Sequence, residues 1–259
     1  MFVAIASDET ASAFLFHLEV RMSAVLVDNR ISKKIAASLI DYASVLLPLP
    51  PHPSLPRPVA SHPDMLLWSC GNSIITYEDY LPIAKDVFKT LEDMGYNVLT
   101  SSRSPADKYP LDVRLNCATV GKNVICNERF ADSLVLQTAR KKGLSVLHAN
   151  QGYAKCSTLT VAENAVITAD ASIYKASLKA KLDALMITPR HVRLDGYDTG
   201  FIGGATGVTD EAVLFCGDLS LHPDAEAIEE FCLKYKKKPV CLSDDPLYDY
   251  GTLFFFKEK

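Results

Sequence analysis

Excess positive charge is absent from this 259-residue chain. Its 27 lysines and arginines face 31 aspartates and glutamates, for a formal net charge of −4. That removes the electrostatic footing for nucleic acid or an anionic membrane as a partner. The one basic run, Lys236-Lys237-Lys238, closes a helical stretch that opens acidic with Asp224, Glu226, Glu229 and Glu230, so it answers a helix dipole. Metal-type spacing is lacking as well. No two of the seven cysteines form a C-x-x-C pair, and the six histidines are scattered. A disulfide framework and a zinc site are excluded on that ground, and a reduced, cytoplasmic chain without metal or cofactor is expected. The first residues show no signal peptide and no membrane span: Met1 to Arg21 has no basic start and contains Asp8, Glu9 and Glu19. Residues 1–21 are expected to be an extension, either a misassigned start or a loosely held arm, ahead of one domain at 22–259.

What is present is a repeat. Short apolar runs begin at Ala24, Ser73, Asn123, Ala165 and Ala212, spaced 42 to 50 residues apart. Each is followed by a helical pattern and then a second apolar run, such as Val45-Leu46-Leu47 or Val146-Leu147. A third run completes the cycle. The clearest copy starts at Asn123-Val124-Ile125-Cys126, continues through a helix from Phe130 to Lys142, and stops at Gly143. A period in this range is the mark of a repeat architecture. The units are expected at about 24–72, 73–122, 123–164, 165–211 and 212–256. Helices are expected at Ser32–Tyr42, Pro82–Met94 and Ser172–Lys181, and third strands at Met65–Trp68 and Val113–Val120. An open stack needs polar caps, whereas Thr252-Leu253-Phe254-Phe255-Phe256 is apolar almost to the end, which fits a closed ring. The prolines between Pro48 and Pro58 predict an extended connector.

Gly203-Gly204-Ala205-Thr206-Gly207 is not a dinucleotide fingerprint, because a strand follows it and no helix N-terminus is available for a pyrophosphate; it also lacks the P-loop lysine. Two readings stand: close packing at a crowded ring centre, or close approach of backbone to a ligand.

Five strand-helix-strand-strand units resemble the pentein, or guanidine-modifying-enzyme (GME), fold. Gln151-Gly152-Tyr153-Ala154-Lys155-Cys156-Ser157-Thr158, together with Gly196-Tyr197-Asp198-Thr199-Gly200-Phe201-Ile202-Gly203-Gly204-Ala205, is similar to an uncharacterised bacterial family of GME-fold proteins. The resemblance spans roughly Met22 to Phe256. It implies an α/β, pentein-type ββαβ propeller with pseudo-fivefold symmetry. In the GME enzymes a cysteine in the last unit's third strand attacks the guanidinium carbon, a histidine acts as acid and base, and carboxylates hold the guanidinium. At the matching place this chain has Gly251-Thr252-Leu253-Phe254, and no cysteine follows Cys241.

In such a ring the first-strand ends and third-strand starts gather near the axis. The candidate ligand-binding residues there are Asn116, Glu128, Lys155, Asp170 and Asp198. Carboxylates at these positions suit a planar cation, although Asp and Asn also end strands and cap helices. Cys156 is the candidate nucleophile, since a neighbouring cation such as Lys155 enriches the thiolate. The opposing reading is a buried structural thiol, because adjacent strand residues face opposite sides. His222, four residues after Asp218, is the candidate acid-base group in an Asp218–His222 pair. Two functions follow. One is an axial pocket for a small guanidino or amino-acid-like ligand, with hydrolase- or amidinotransferase-like chemistry at a non-standard site. The other is a non-catalytic ring acting as a binding protein, as translation initiation factor six does within this fold.

Overall fold

The computed structural model describes residues 23–259, so the expected extension at 1–21 lies outside the described residues. The chain begins with strand β1 (Ser23–Asp28), helix α1 (Lys33–Leu39) and strand β2 (Val45–Leu49). A short helix α2 (Pro63–Leu66) then leads into β3 (Leu67–Cys70), β4 (Ser73–Tyr77), α3 (Lys85–Asp93) and β5 (Asn97–Ser101). The pattern recurs as β6 (Ala118–Val120), β7 (Asn123–Cys126), α4 (Ser133–Lys141) and β8 (Ser145–His148), and again as β9 (Leu159–Ala162), β10 (Ala165–Thr168), α5 (Ala171–Lys179) and β11 (Asp183–Met186). The last copy is β12 (Thr206–Val208), β13 (Ala212–Phe215), α6 (Ala225–Lys234) and β14 (Lys238–Cys241), and β15 (Phe254–Lys257) ends the chain.

These strands make five three-stranded sheets. In each, the first strand is central. It pairs in parallel with the strand beyond its helix, as in Val25 opposite Leu46, and antiparallel with the strand before it, as in Thr119 opposite Val124. The third strand of each cycle therefore belongs to the sheet of the next cycle. At the chain ends the same rule joins β15 to β1, with Ala24 opposite Phe256, so the C-terminal strand completes the first sheet. Tyr96 secures it: its hydroxyl donates to the Lys257 carbonyl at 3.0 Å and its ring meets Phe256 edge-on at 4.9 Å.

Central strands are apolar on both faces because helices cover one side and neighbouring sheets the other. Val25, Leu26, Ile74, Ile75, Val124, Ile125, Val166, Ile167, Val213 and Leu214 are fully buried. Burying each such side chain contributes roughly 1.5–3 kcal/mol. Each helix lays one stripe onto its sheet, as Phe88 and Leu91 do in α3.

Two strand expectations are corrected. Met65 and Leu66 lie in α2, because Pro63 at the first helical position presets a turn, and the strand starts only at Leu67. Residues 113–117 form no strand: Arg114 and Leu115 make a turn, and β6 is confined to Ala118–Val120, so the preceding segment bends to bring Asn116 inward. Helices α1, α3 and α4 are one to three residues shorter at each end than expected, whereas α5 starts one residue earlier and ends two earlier; Ser32, Asp132 and Asp170 act as N-caps for α1, α4 and α5. Among the described residues, no helix is long and apolar enough to cross a membrane.

Candidate functional site

The segments that enter the inner strands converge on the axis. Asp64, Cys156 and Gly203 each stand three residues before β3, β9 and β12, and Asn116 and Thr252 each stand two residues before β6 and β15. Asp28, at the end of β1, joins them, as do His62 and Asp249. Asp28, His62, Asp64, Asn116, Cys156 and Asp249 are all buried.

Asn116 organises one side. Its Oδ1 accepts from the backbone N–H groups of Lys155 (2.7 Å) and Cys156 (3.1 Å), while its Nδ2 donates to the Asp64 carbonyl (3.1 Å) and the Cys156 Sγ (2.9 Å). A single amide thus fixes the Lys155-Cys156 backbone and the thiol together. On the other side His62 sits between two carboxylates, with Nε2 3.6 Å from Asp28 Oδ2 and Nδ1 3.7 Å from Asp249 Oδ1. Asp28 is further paired by Arg30, whose Nε and Nη2 donate to its two oxygens at 2.9 and 2.5 Å. Asp249 accepts from the backbone N–H groups of Phe201 and Gly251, both at 2.9 Å. Thr252 Oγ1 is placed to donate to Asp64 Oδ2 (2.8 Å) or to the Gly203 carbonyl (2.9 Å). Lys155 Nζ donates to Thr252 Oγ1 at 3.2 Å. Within this cluster Asp64 Oδ1 and His62 Nε2 have no hydrogen bond, and the Asp64 carboxylate also faces the Cys156 thiol.

Electrostatics follow from burial. Burial pushes the Asp249 carboxyl up to about 6; the attraction of His62 opposes the rise and the charge of Asp64 adds to it. Burial also raises the Cys156 thiol well above its ordinary range, and the carboxylates of Asp64 and Asp249 push the same way. Lys155 is lowered by burial despite the nearby acids. The expected activation of Cys156 by Lys155 is therefore outweighed by burial first and by the two carboxylates besides.

The glycine stretch is packed at this centre. A Cβ on Gly203 would come within 2.5 Å of the carbonyl oxygens of Lys155 and Thr158, and one on Gly204 within 2.0 Å of Asp249 Oδ1. Close approach of backbone and side chains within the protein accounts for both.

Of the residues singled out in the sequence, Asn116, Lys155 and Cys156 meet here. The others lie elsewhere. The Asp218–His222 pair is not formed: Asp218 accepts from the Ser220 N–H at 2.9 Å, whereas His222 Nδ1 accepts from the Asp224 N–H at 3.1 Å. His222 packs its ring 5.2 Å from His191, and burial lowers its pKa. It lines a separate cavity of about 100 Å³ that also includes Asp170. Asp170 is chiefly a cap, accepting from the Ser172 and Ile173 N–H groups. Glu128 lies beside Arg140 and His148, at 3.6 and 4.0 Å. Asp198 is exposed. Local turn chemistry explains Asp170 and Asp218, and also Asn127, whose Oδ1 accepts from the Arg129 N–H.

His62, Asp64 and Asp249 went unrecognised as site residues in the sequence. His62 and Asp64 directly follow the proline-rich connector, which reads only as a surface crossing. The available signal was positional: Asp64 precedes its inner strand by the same three residues as Cys156 and Gly203. Among the described residues, no three His, Cys, Asp or Glu side chains are disposed to hold a metal ion.

The model of a family of unknown function, DUF6873, matches residues 26–254. No curated protein matches the sequence. Among solved structures, SxtG, an amidinotransferase from Microseira wollei in the saxitoxin biosynthetic pathway, superposes over 92% of this chain and 95% of its own, with a TM-score of 0.52 and 10% identity. An agmatine deiminase from C. jejuni matches 66% of this chain and 62% of its own, with a TM-score of 0.42 and 9% identity. The fold is the pentein type: an α/β ring of five ββαβ units.

Proposed function

The chain belongs to the family of unknown function DUF6873, and from that premise we propose that its axial cluster binds a small cationic ligand of the guanidino or amino-acid-like class. What supports this reading most is the buried, unpartnered Asp64 Oδ1 beside a second buried carboxylate, Asp249. A buried acceptor without a donor costs about 1–3 kcal/mol, and a guanidinium brings N–H donors in the planar fork that carboxylates accept. Asp28 already has Arg30 as its cation, whereas Asp249 has only His62 at 3.7 Å and Asp64 has the Thr252 hydroxyl, so these two are the carboxylates left for a ligand. The cluster is closed in the free protein, and binding is coupled to movement of the segments that carry it.

Such a ligand would also change the cysteine. A cation between Asp64 and Asp249 offsets the two charges that add to burial in raising the Cys156 thiol, so bound ligand favours the thiolate. In this reading Cys156 is the nucleophile toward the planar carbon, as in hydrolase- or amidinotransferase-type chemistry, and His62 transfers the proton. Thr252, in place of the last-unit cysteine, favours the second reading: a ring that binds without catalysing.

A thermal-shift series with arginine, agmatine, guanidinoacetate and unmodified amino acids tests the proposal. At one hundred times Kd a ligand stabilises by about 2.7 kcal/mol, which at about 2–4 °C per kcal/mol is a rise of roughly 5–10 °C. The rise is expected to be lost in Asp64→Asn and kept in Cys156→Ala. Cys156→Ala abolishing turnover but not the shift supports catalysis. A wild-type shift with no turnover supports the binding ring. No shift with any compound overturns the proposal.

A further inference from the structure

On the axis, the inner strands line a half-open cavity of about 180 Å³, with Ser69, Thr119, Thr160, Val208 and Phe254 among its walls. All five sheets contribute to it. Taking about 30 Å³ per water in the liquid, it holds on the order of six waters' volume, the size of a small organic molecule. Lys155 and Thr252 line it too. Lys155 Nζ lies 5.6 Å over the Phe254 ring, and its two hydrogen bonds go to neutral oxygens, Thr252 Oγ1 at 3.2 Å and the Thr158 carbonyl at 3.5 Å. Behind Thr252 stands Asp64, whose Oδ2 accepts from the threonine hydroxyl at 2.8 Å. Amine, hydroxyl and carboxylate therefore form a continuous chain.

The backbone is bent to make that chain. Thr252 has φ 70° and follows Gly251 at φ 73°. A β-branched residue in the left-handed region is a genuine outlier, and such strain gathers at functional positions. Here it brings the hydroxyl between Lys155 and Asp64, while the Thr252 N–H donates to the Gly204 carbonyl at 2.9 Å.

We propose that Lys155 is a reactive amine that condenses with a small aldehyde or ketone in this cavity, with Thr252 and Asp64 as its proton relay. A lysine shielded in a partly apolar pocket has a larger neutral fraction, which is the nucleophilic form. The nitrogen lone pair adds to the carbonyl carbon, forming C–N and opening C=O. One amine proton passes through Thr252 and Asp64 to the oxygen, giving the carbinolamine. The second follows the same route to the departing hydroxyl. Water leaves and the imine remains, with no change of oxidation state. The step needs no guanidino ligand; it shares Asp64 with the cation site proposed above, through Oδ2 where that reading uses Oδ1.

The test is reductive trapping on the full chain with butanal or benzaldehyde and cyanoborohydride at pH 7, read by peptide mass spectrometry. Lys155 is expected to be modified at least tenfold faster than exposed Lys236. Thr252→Ala is expected to slow trapping about tenfold or more, and Thr252→Ser to restore it within about threefold. The trapping on wild type needs no variant to fold. Equal labelling of Lys155 and Lys236, or a rate unmoved in a folded Thr252→Ala, overturns the proposal.

Discussion

Replacing Asp249 by asparagine removes one buried charge while keeping the shape, and the outcome depends on pH in a calculable way. The folded carboxyl titrates at about 6 against 3.8 for the free group. Between those values the folded chain holds a proton that the unfolded chain has released. Wild-type stability therefore falls as pH rises through this window. Above it, the ionised carboxylate costs about 3 kcal/mol; at pH 4.5 the cost is about 1 kcal/mol. Asparagine escapes this cost at every pH. It loses something else: its amide can accept from only one of the two N–H groups, Phe201 and Gly251, that now donate to Asp249. The unpaired donor costs about 1–3 kcal/mol regardless of pH. Relative to wild type, Asp249→Asn should therefore gain about 2 kcal/mol on going from pH 4.5 to 7.5. In urea melts the variant is the weaker protein at the acid pH, and it draws level or moves ahead at the higher one. A stability difference that is the same at both pH values would refute the reasoning, because it would mean that Asp249 carries no burial cost.

Two further outcomes follow from the same geometry. With a thiol reagent at pH 7.5, exposed Cys241 reacts first and half-buried Cys70 next, while Cys156 stays unlabelled until the chain opens; Cys241→Ser removes the fast phase, and a fast-labelled Cys156 peptide would contradict the burial argument. Gly203→Ala forces a methyl against three backbone carbonyls and should destabilise by more than about 3 kcal/mol in urea melts, whereas Gly143→Ala, with nothing within 4 Å but φ 75°, costs only about 1–2 kcal/mol.

The ring itself was readable because its signal is repeated. The five first strands begin within one residue of the positions that hydropathy marks, at Ser23, Ser73, Asn123, Ala165 and Ala212. Each central strand is buried on both faces, so its apolar run is uninterrupted. The inner strands were harder. Their entering segments bend to deliver polar residues to the axis, and a bend at Asn116 or Pro63 has no period to detect. The site divides along the same line. Asn116 and Cys156 were visible because each shortly precedes the inner strand of its unit, by two and three residues. Asp64 precedes its strand by the same three residues as Cys156, but the prolines before it mask the return of the chain to the centre. His222 misled because its nearness to Asp218 in sequence does not survive the turn between them, where each side chain caps its own backbone. Thr252 was noticed only for the cysteine it replaces; its left-handed backbone is a property of the folded ring.

The most direct test of the axial cluster as a cation site is calorimetric titration of agmatine and arginine into the wild type and Asp64→Asn at pH 7.5. The account predicts saturable one-to-one binding to the wild type and at least a tenfold weaker Kd in the variant, about 1.4 kcal/mol or more. Binding of equal strength in both proteins, or no heat from either ligand with the wild type, would contradict it.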